Sequence, residues 1–386
     1  MLTTIIFCST AATFLFMGLH ALFHQRWARR LPLLPNHARD PNNPLPGVAR
    51  CSVVIAARDE EGRIEQTIRC LLAQQGVDLE ILVVDDRSSD GTPEILRRLA
   101  QEDARVRVKR VDVLPEGWLG KCHACHVGAE AATGEWLLFT DADCWLKPQV
   151  LARAVSVAND EGVDHVSLTP GLATSSLPTQ AWHLAFLVSM ANWISGVNRD
   201  RPKAYFGLGS FNLMRASAYR QCGGYQALRL TVLDDVKLGL LLRRAGKRTR
   251  AFLGGSDVEC HWGTTIRSMI GVMEKNYFAA IDFRLEIALA ASLIGIGLLC
   301  AAVVGPFTLS VAGLAAGLAP FSFVLPAWAF ARRLGWSWRA AALTPFLFPV
   351  LLYAMINSVF VTLRRGGVRW RETFYPLRML REGTVR

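Results

Sequence analysis

Leu137-Leu138-Phe139-Thr140-Asp141-Ala142-Asp143 is an apolar run that ends abruptly in two carboxylates one residue apart. It predicts a buried strand whose C-terminal end delivers Asp141 and Asp143 into a crevice, the place where open α/β sheets bind ligands. In an extended segment, residues two apart face the same side. Both carboxylates can therefore meet one hard cation, which prefers oxygen ligands. Asp-x-Asp also arises by chance, so its weight depends on what the rest of the chain builds around it.

Working outward, the chain before this run alternates strands and helices. Cys51 to Ala57 reads as a strand, and Arg58-Asp59-Glu60-Glu61-Gly62 opens a helix through about Gln74 with Ile64, Ile68, Leu71 and Leu72 on its apolar face. Glu80 to Asp86 is a second strand, also ending in paired carboxylates, Asp85 and Asp86. A turn at residues 87–93 places Pro93 near a helix start, and that helix runs to about Gln101. Residues 107–111 form a third strand. Lys121 begins a small-residue helix that Thr133-Gly134 ends. This alternation predicts an α/β fold with a mostly parallel sheet. After the opening run, residues 181–197 read as an apolar helix suited to a membrane surface. Phe206 to Arg215 is a Gly-containing loop entering a strand. Asp234 and Asp235 begin a helix that ends at Gly246.

Composition frames this middle region. Of 386 residues, 51% are hydrophobic, and mean hydropathy is +0.24, high for a purely soluble protein. The excess lies in the first 23 residues and after about Ile287. Net charge is +11. Nucleic-acid binding is one source of such charge. The arginines instead cluster beside the apolar runs, at Arg26, Arg29 and Arg30, at Arg332 and Arg333, and at Arg364 and Arg365, which is the cytoplasmic Lys/Arg excess of a membrane protein. Nine scattered cysteines without framework spacing argue for reduced thiols.

The expected organisation is a transmembrane anchor at 1–24, a basic, Pro-rich linker at 25–50, a cytoplasmic catalytic domain at 51–283, two or three membrane spans within 284–363 and an Arg-rich tail at 364–386. The charges follow the first apolar run, so it reads as an uncleaved anchor and not a signal peptide. Three later blocks, 286–305, 308–330 and 340–362, are each long enough to span. Three true spans would put the seven-arginine tail outside, against the positive-inside rule. Pro345 and Pro349 offer the other arrangement, a broken or re-entrant last segment with the tail inside. The expected setting is multi-pass, in the cell (inner) membrane.

Several acidic groups at strand ends repel one another unless a cation holds them. With Lys121 nearby, the pattern suits a divalent ion bridging carboxylates to a diphosphate. The middle region resembles family 2 glycosyltransferases, inverting enzymes of the GT-A nucleotide-diphospho-sugar transferase fold. The matching stretches are SVVIAARDEE, EILVVDDRSSDGT, GKCHACHVGAEAATGEWLLFTDADC, FGLGSFNLMRASAYRQCGGY and LDDVKLGLLLRRAG, in the family's order over about residues 51–250. The flanking anchors resemble its membrane-bound branch, which includes ceramide glucosyltransferases and enzymes that glycosylate hopanoids and carotenoids.

The resemblance implies roles. Ala57, Arg58 and Glu60 line the nucleotide site. Asp86, with Asp85 beside it, reads a uracil-type base. Lys121 lies near the diphosphate. Asp141 sits near the sugar–nucleotide and Asp143 on the metal, Mg²⁺ or Mn²⁺, with Asp141 beside it. Asp235 is the catalytic base. The implied donor is a nucleotide sugar, UDP-linked, and the implied acceptor a lipid hydroxyl. The Gln-x-x-Arg-Trp of processive members is missing, and Lys275 is the residue that could supply its positive charge. Cys122-His123-Ala124-Cys125-His126 fits a haem-attachment pattern, but it falls inside the Lys121 helix on the expected cytoplasmic side, so no haem is expected. Gly207-x-Gly209 lacks the third glycine of a dinucleotide site and reads as an acceptor-side loop. His261-Trp262 is a candidate for placing a sugar or headgroup. The rival readings are a polysaccharide or polyprenyl-phosphate sugar transferase and a non-catalytic scaffold with a degenerate nucleotide fold.

Overall fold

The computed structural model describes residues 1–33 and 48–386. Most of the expected linker, including Pro35, Pro41, Pro44 and Pro46, lies outside the described residues. Eight strands form one sheet: β1 (Arg50–Ala57), β2 (Asp78–Asp86), β3 (Val106–Val111), β4 (Trp136–Asp141), β5 (Cys144–Leu146), β6 (His165–Leu172), β7 (Asn212–Arg215) and β8 (Thr249–Cys260). Their order is β3-β2-β1-β4-β7-β6-β8-β5. The pairings of β1 with β2 and β4, of β2 with β3 and of β6 with β8 are parallel, while β7 and β5 run against their neighbours. The sheet is thus mostly parallel, as the strand–helix alternation predicts. The first four strands each end at the same edge, and the register sets Ala57 beside Asp85 and Ala56 beside Asp141.

Apolar residues on both faces drive this. Val53, Val54 and Ile55 in β1 are wholly buried, each worth roughly 1.5–3 kcal/mol relative to exposure. Helices α2 (Ile64–Leu72), α3 (Thr92–Glu102), α4 (Gly120–Ala131) and α5 (Val150–Asp160) cover the faces. At the edge opposite the carboxylate pairs, Glu80 ties three strands together. Its carboxylate accepts from Ser52 Oγ at 2.5 Å, from Thr133 N at 2.6 Å and from Arg107 Nη1 at 2.9 Å. Burial alone would raise this carboxyl, but the bonds from Ser52, Thr133 and Arg107 bring it down to about 2.

Helix α6 (Leu177–Asn198) corrects an expectation. It does not lie on a surface. Trp182 is 2% exposed, and only Trp193, at 41%, faces outward among its two tryptophans. The helix is apolar nearly all round because it is sandwiched between β8 and helices from the C-terminal region. Short helices α7 (Ala216–Gln221) and α8 (Gly224–Ala227) lead to α9 (Asp234–Arg244), and α10 (Ile266–Ala280) follows β8.

Among the described residues, four helical segments are long and apolar enough to cross a membrane: Leu2–Trp27, Leu285–Thr308, Val311–Leu334 and Thr344–Arg365. They contain α1 (Leu2–His24), α11 (Leu285–Val304), α12 (Val311–Leu318) with α13 (Val324–Leu334), and α15 (Phe348–Arg365), which follows the short α14 (Trp338–Ala342). Large apolar side chains such as Phe16, Leu19, Leu293 and Ile294 point outward along them, an apolar belt far larger than water-facing surfaces carry.

Contacts fix where these segments begin and end. Arg333, at the end of α13, donates to the Gln25 and Ala28 carbonyls just past α1. Trp336 packs at a tilt against His183 of α6, ring centroids 5.5 Å apart. Phe348, at the start of α15, packs edge-on against Phe14 midway along α1, centroids 5.5 Å apart. By the end of α15 the chain is back at the catalytic domain: Ser358 bridges Phe278 N and the Glu274 carbonyl, and Arg365 pairs with Glu274 at 2.6 Å. Residues 336–365 thus leave the domain, reach the level of Phe14 and return. The tail then forms a hairpin, β9 (Gly367–Trp370) with β10 (Thr373–Pro376), and α16 (Leu377–Gly383), all packed against the catalytic domain.

Candidate active site

A cavity of about 1010 Å³ opens at the carboxyl edge of the sheet. Its floor comes from strand ends that stop together, so the acidic pairs converge without any contact in sequence. Ala57, Arg58, Glu60, Asp86, Lys121, Asp141, Asp143, Asp235 and Lys275 all line it.

Asp85 does not. Alternation turns it to the other side of β2 from Asp86. Its carboxylate accepts from Ser88 N at 3.0 Å and from Arg110. It fixes the turn after β2, and its expected place beside Asp86 in the nucleotide site is corrected. Asp86 faces the cavity and is gripped by Arg87, Nε to Oδ1 at 2.8 Å and Nη2 to Oδ2 at 3.1 Å. A Cβ on Gly120 would collide with this carboxylate, so the start of α4 can approach only as glycine.

The centre is a charge cluster. Lys121 Nζ donates to Asp141 Oδ1 at 2.6 Å and lies 3.9 Å from Asp234. Burial works against its charge, yet Asp141, Asp234 and Asp235 hold its ammonium well above the ordinary lysine range. Asp143 is pushed up to about 7 by burial, with Asp141 and Glu60 adding to the rise. Glu60 is raised by burial as well, against the pull of Arg371. Ligand atoms of Asp141, Asp143 and Cys144 lie within 4.8 Å of one another. The two carboxylates fit a hard cation, which would relieve their mutual repulsion. Cys144 does not: burial raises its thiol, whose sulfur is 2.9 Å from Cys260 Sγ.

Asp235 begins α9. Its Oδ2 accepts from Gly209 N at 2.7 Å and its Oδ1 from Val236 N at 2.8 Å. Those bonds orient the carboxylate and leave lone pairs open to the cavity. Burial, with Asp234 beside it, pushes it up to about 6, a value suited to general-base work near neutrality. Asp234 also borders the cavity, and its Oδ2 accepts from Tyr225 OH at 2.9 Å. The Gly207-x-Gly209 loop has a steric reason for its glycines. A Cβ on Gly209 would sit 2.6 Å from Asp141 Oδ2 and 3.1 Å from Lys121 Nζ, and one on Gly207 would strike the Asp235 carbonyl.

From this polar floor the cavity continues between helices. Trp182, Phe186 and Met190 of α6, Met269 and Met273 of α10, Gly295 of α11, and Leu351 and Met355 of α15 line an apolar limb. Trp262 borders it, whereas His261 is packed against the Trp145 ring, centroids 3.3 Å apart. Sequence reasoning missed Trp370, Arg371 and Tyr375, which the tail hairpin brings to the same cavity. The one signal was an aromatic residue set between Arg369 and Arg371, which no periodicity distinguishes.

Comparison with known proteins agrees with this geometry. Residues 52–223 match the profile of glycosyl transferase family 2. The 4,4'-diaponeurosporenoate glycosyltransferase of Staphylococcus haemolyticus is 27% identical over 210 residues, 53% of this chain and 54% of that protein. The beta-monoglucosyldiacylglycerol synthase of Trichormus variabilis is 28% identical over 217 residues, 54% of this chain and 42% of that protein. The chain thus spans about half the length of the curated relatives it matches. Among solved structures, the mannosyltransferase PcManGT of Pyrobaculum calidifontis, in complex with GDP-Man and Mn²⁺, superposes with a TM-score of 0.54 at 20% identity, over 94% of this chain and 99% of that one. That likeness is one of fold. Residues 52–223 thus match a family 2 glycosyltransferase domain, and the sheet that carries the acidic pairs has the GT-A fold.

Proposed function

We propose that the protein transfers a sugar from a nucleotide-sugar donor, UDP-linked, to a hydroxyl of a membrane lipid by inverting displacement. The observation that carries this is the continuity of one cavity, from the Asp86–Lys121–Asp141–Asp143 floor, past Asp235, into an apolar limb between helices that bear an outward apolar belt. A soluble acceptor has no need of that limb. The names of the two relatives, one for diaponeurosporenoate and one for diacylglycerol, support a lipid acceptor.

In this reading Asp86 receives the base and Asp143 and Asp141 hold Mg²⁺ or Mn²⁺, which when bound supplies charge stabilisation to the leaving diphosphate. Lys121, already oriented by Asp141, adds its own charge to that stabilisation. Asp235 takes the proton from the acceptor hydroxyl, whose oxygen attacks the anomeric carbon from the face opposite the diphosphate. The membrane arrangement that fits the contacts has α1, α11 and the α12–α13 pair crossing, and residues 336–365 as a re-entrant hairpin. The tail then lies on the catalytic, cytoplasmic side, in agreement with its seven arginines. A polyprenyl-phosphate acceptor finds less support, because Arg365, Arg371, Arg378 and Arg381 are each already engaged by a carboxylate or carbonyl.

The test is incubation of membranes containing the protein with labelled UDP- and GDP-sugars under Mg²⁺ or Mn²⁺, followed by mass spectrometry of extracted lipid. A labelled glycolipid that requires the cation and disappears in Asp235→Asn is expected. Label that enters only soluble or polymeric products would overturn the lipid reading.

A further inference from the structure

We propose that the C-terminal hairpin Gly367–Pro376 is a wall of the donor site, in which Trp370 positions the Lys275 ammonium to receive an anionic diphosphate. This rests on the reading above that the donor is a nucleoside-diphosphate sugar.

The hairpin touches three elements of the donor end at once. Arg371 pairs with Glu60, and Thr373 Oγ1 accepts from Arg58 Nη1 at 3.3 Å, both on the segment after β1. Tyr375 OH accepts from Gly120 N at 3.1 Å, at the first residue of the helix that carries Lys121. Trp370 faces α10, where Lys275 Nζ stands 3.3 Å from its ring centroid. Arg371 adopts φ +52° in the two-residue turn between β9 and β10. That turn usually takes Asn, Asp or Gly. An arginine held there, with its guanidinium on a cavity carboxylate, keeps a conformation that tertiary contacts must over-determine.

The two lysines of the cavity differ in one decisive respect. Lys121 is held in ion pairs with Asp141 and Asp234. Lys275, among the described residues, has no carboxylate within ion-pair distance and no hydrogen-bond acceptor; its only close partner is the Trp370 ring. An aromatic face steadies a cation without cancelling its charge. A half-buried ammonium held this way at the cavity wall leaves its charge to an incoming anion. The tail thereby supplies, from the far end of the chain, the support that makes Lys275 a ligand-binding group. Trp370 is a positioning residue and Lys275 the group that touches the diphosphate.

The experiment uses the full-length protein in detergent. Binding of UDP and of GDP with Mn²⁺ is measured by calorimetry, and donor kinetics are measured on the same samples. Trp370→Ala is expected to weaken nucleoside-diphosphate binding and raise the donor KM by about tenfold, with kcat changed less than about threefold. Trp370→Phe, which keeps a ring face, restores most of the affinity. Lys275→Met shows the same loss, and the double variant is no weaker than Lys275→Met alone, the signature of a coupled pair. Should Trp370→Ala lose its folded state, Trp370→Leu, which fills the space without a ring face, decides the question. Unchanged binding in a folded Trp370 variant, or losses that add in the double variant, would overturn the proposal while leaving the donor reading intact. A wild-type protein that binds neither UDP nor GDP with Mn²⁺ overturns the donor reading and this inference with it.

Discussion

The two ends of the cavity are built by different physics. The sheet end is held by charge: Lys121 on Asp141, Arg87 on Asp86, and backbone amides on Asp235, each at 2.6–3.1 Å. The helix end is held by shape, with Met, Phe and Leu side chains from α6, α10 and α15, and Ala291 and Gly295 of α11, around the space. Charge positions a reacting group to within tenths of an ångström, and a change there is expected to cost rate. An apolar wall recognises length and bulk, and a change there is expected to cost acceptor affinity. Substitutions at one end should therefore leave the other end's parameters alone.

The largest effect belongs to Asp235. Asp235→Asn can keep only one of the two backbone bonds, because an amide nitrogen cannot accept from an N–H, and it removes the base; transfer should fall about 10³-fold with donor affinity within about threefold. Equal loss of kcat and donor affinity would show that this carboxylate binds and does not act as base. Gly209→Ala comes next. Its added methyl meets Asp141 and Lys121, and displacing either from its geometry should lower kcat about 10²-fold while the thermal midpoint changes little.

The pH profile tests the polar end without mutation. Asp235, raised to about 6, must be ionised to accept a proton, so activity rises as pH increases through that value. Lys275, lowered to about 8 by burial first and by Lys121 next, must keep its proton to attract the diphosphate, so donor affinity falls as pH increases through that value. The expected kcat/KM profile is a bell, with each limb changing about tenfold per pH unit beyond its midpoint. Lys275→Met should flatten the alkaline limb and leave the acid limb in place.

At the apolar end, Met355→Trp should narrow the limb and raise the acceptor KM about tenfold, the worth of roughly two buried methylenes, with donor KM unchanged. A matching rise in donor KM would mean the two ends are not separable. The smallest effect on activity is expected at Glu80, whose carboxylate serves only the fold. Glu80→Gln should lower stability by about 1–3 kcal/mol with kcat unchanged. The Glu80 carboxyl sits below its unfolded value, so its contribution is present above about pH 4.5 and is lost as pH falls toward about 2. Urea unfolding at pH 7 and pH 3 reads both parts.

The same division explains what the sequence made legible. The βα units up to Asp141 are local: each strand's apolar run, each turn and each terminal carboxylate lie within a few tens of residues. Strand alternation therefore predicted the sheet and gathered Asp86, Lys121, Asp141 and Asp143. Asp85 was misplaced because two adjacent carboxylates at a strand end cannot share a face, and only the position of Arg110 on β3 decides which one turns inward. Helix α6 was read as a surface helix because its apolar faces are covered by α13 and α14, more than a hundred residues later in the chain. The tail hairpin left no periodic signal, since its four-residue strands matter through Glu60, Gly120 and Lys275, contacts that only the folded chain creates.

The central claim is that one continuous cavity joins a sugar-donor end to a lipid-acceptor end. It is tested most directly by the dependence of transfer on acceptor chain length. With purified protein in detergent and the donor found in membranes, linear alcohol acceptors of increasing length should show kcat/KM climbing by up to about fourfold per methylene and then reaching a plateau as the limb fills, with the plateau arriving at a shorter chain in Met355→Trp. A kcat/KM that does not change with chain length, or that climbs identically in Met355→Trp, would contradict the claim.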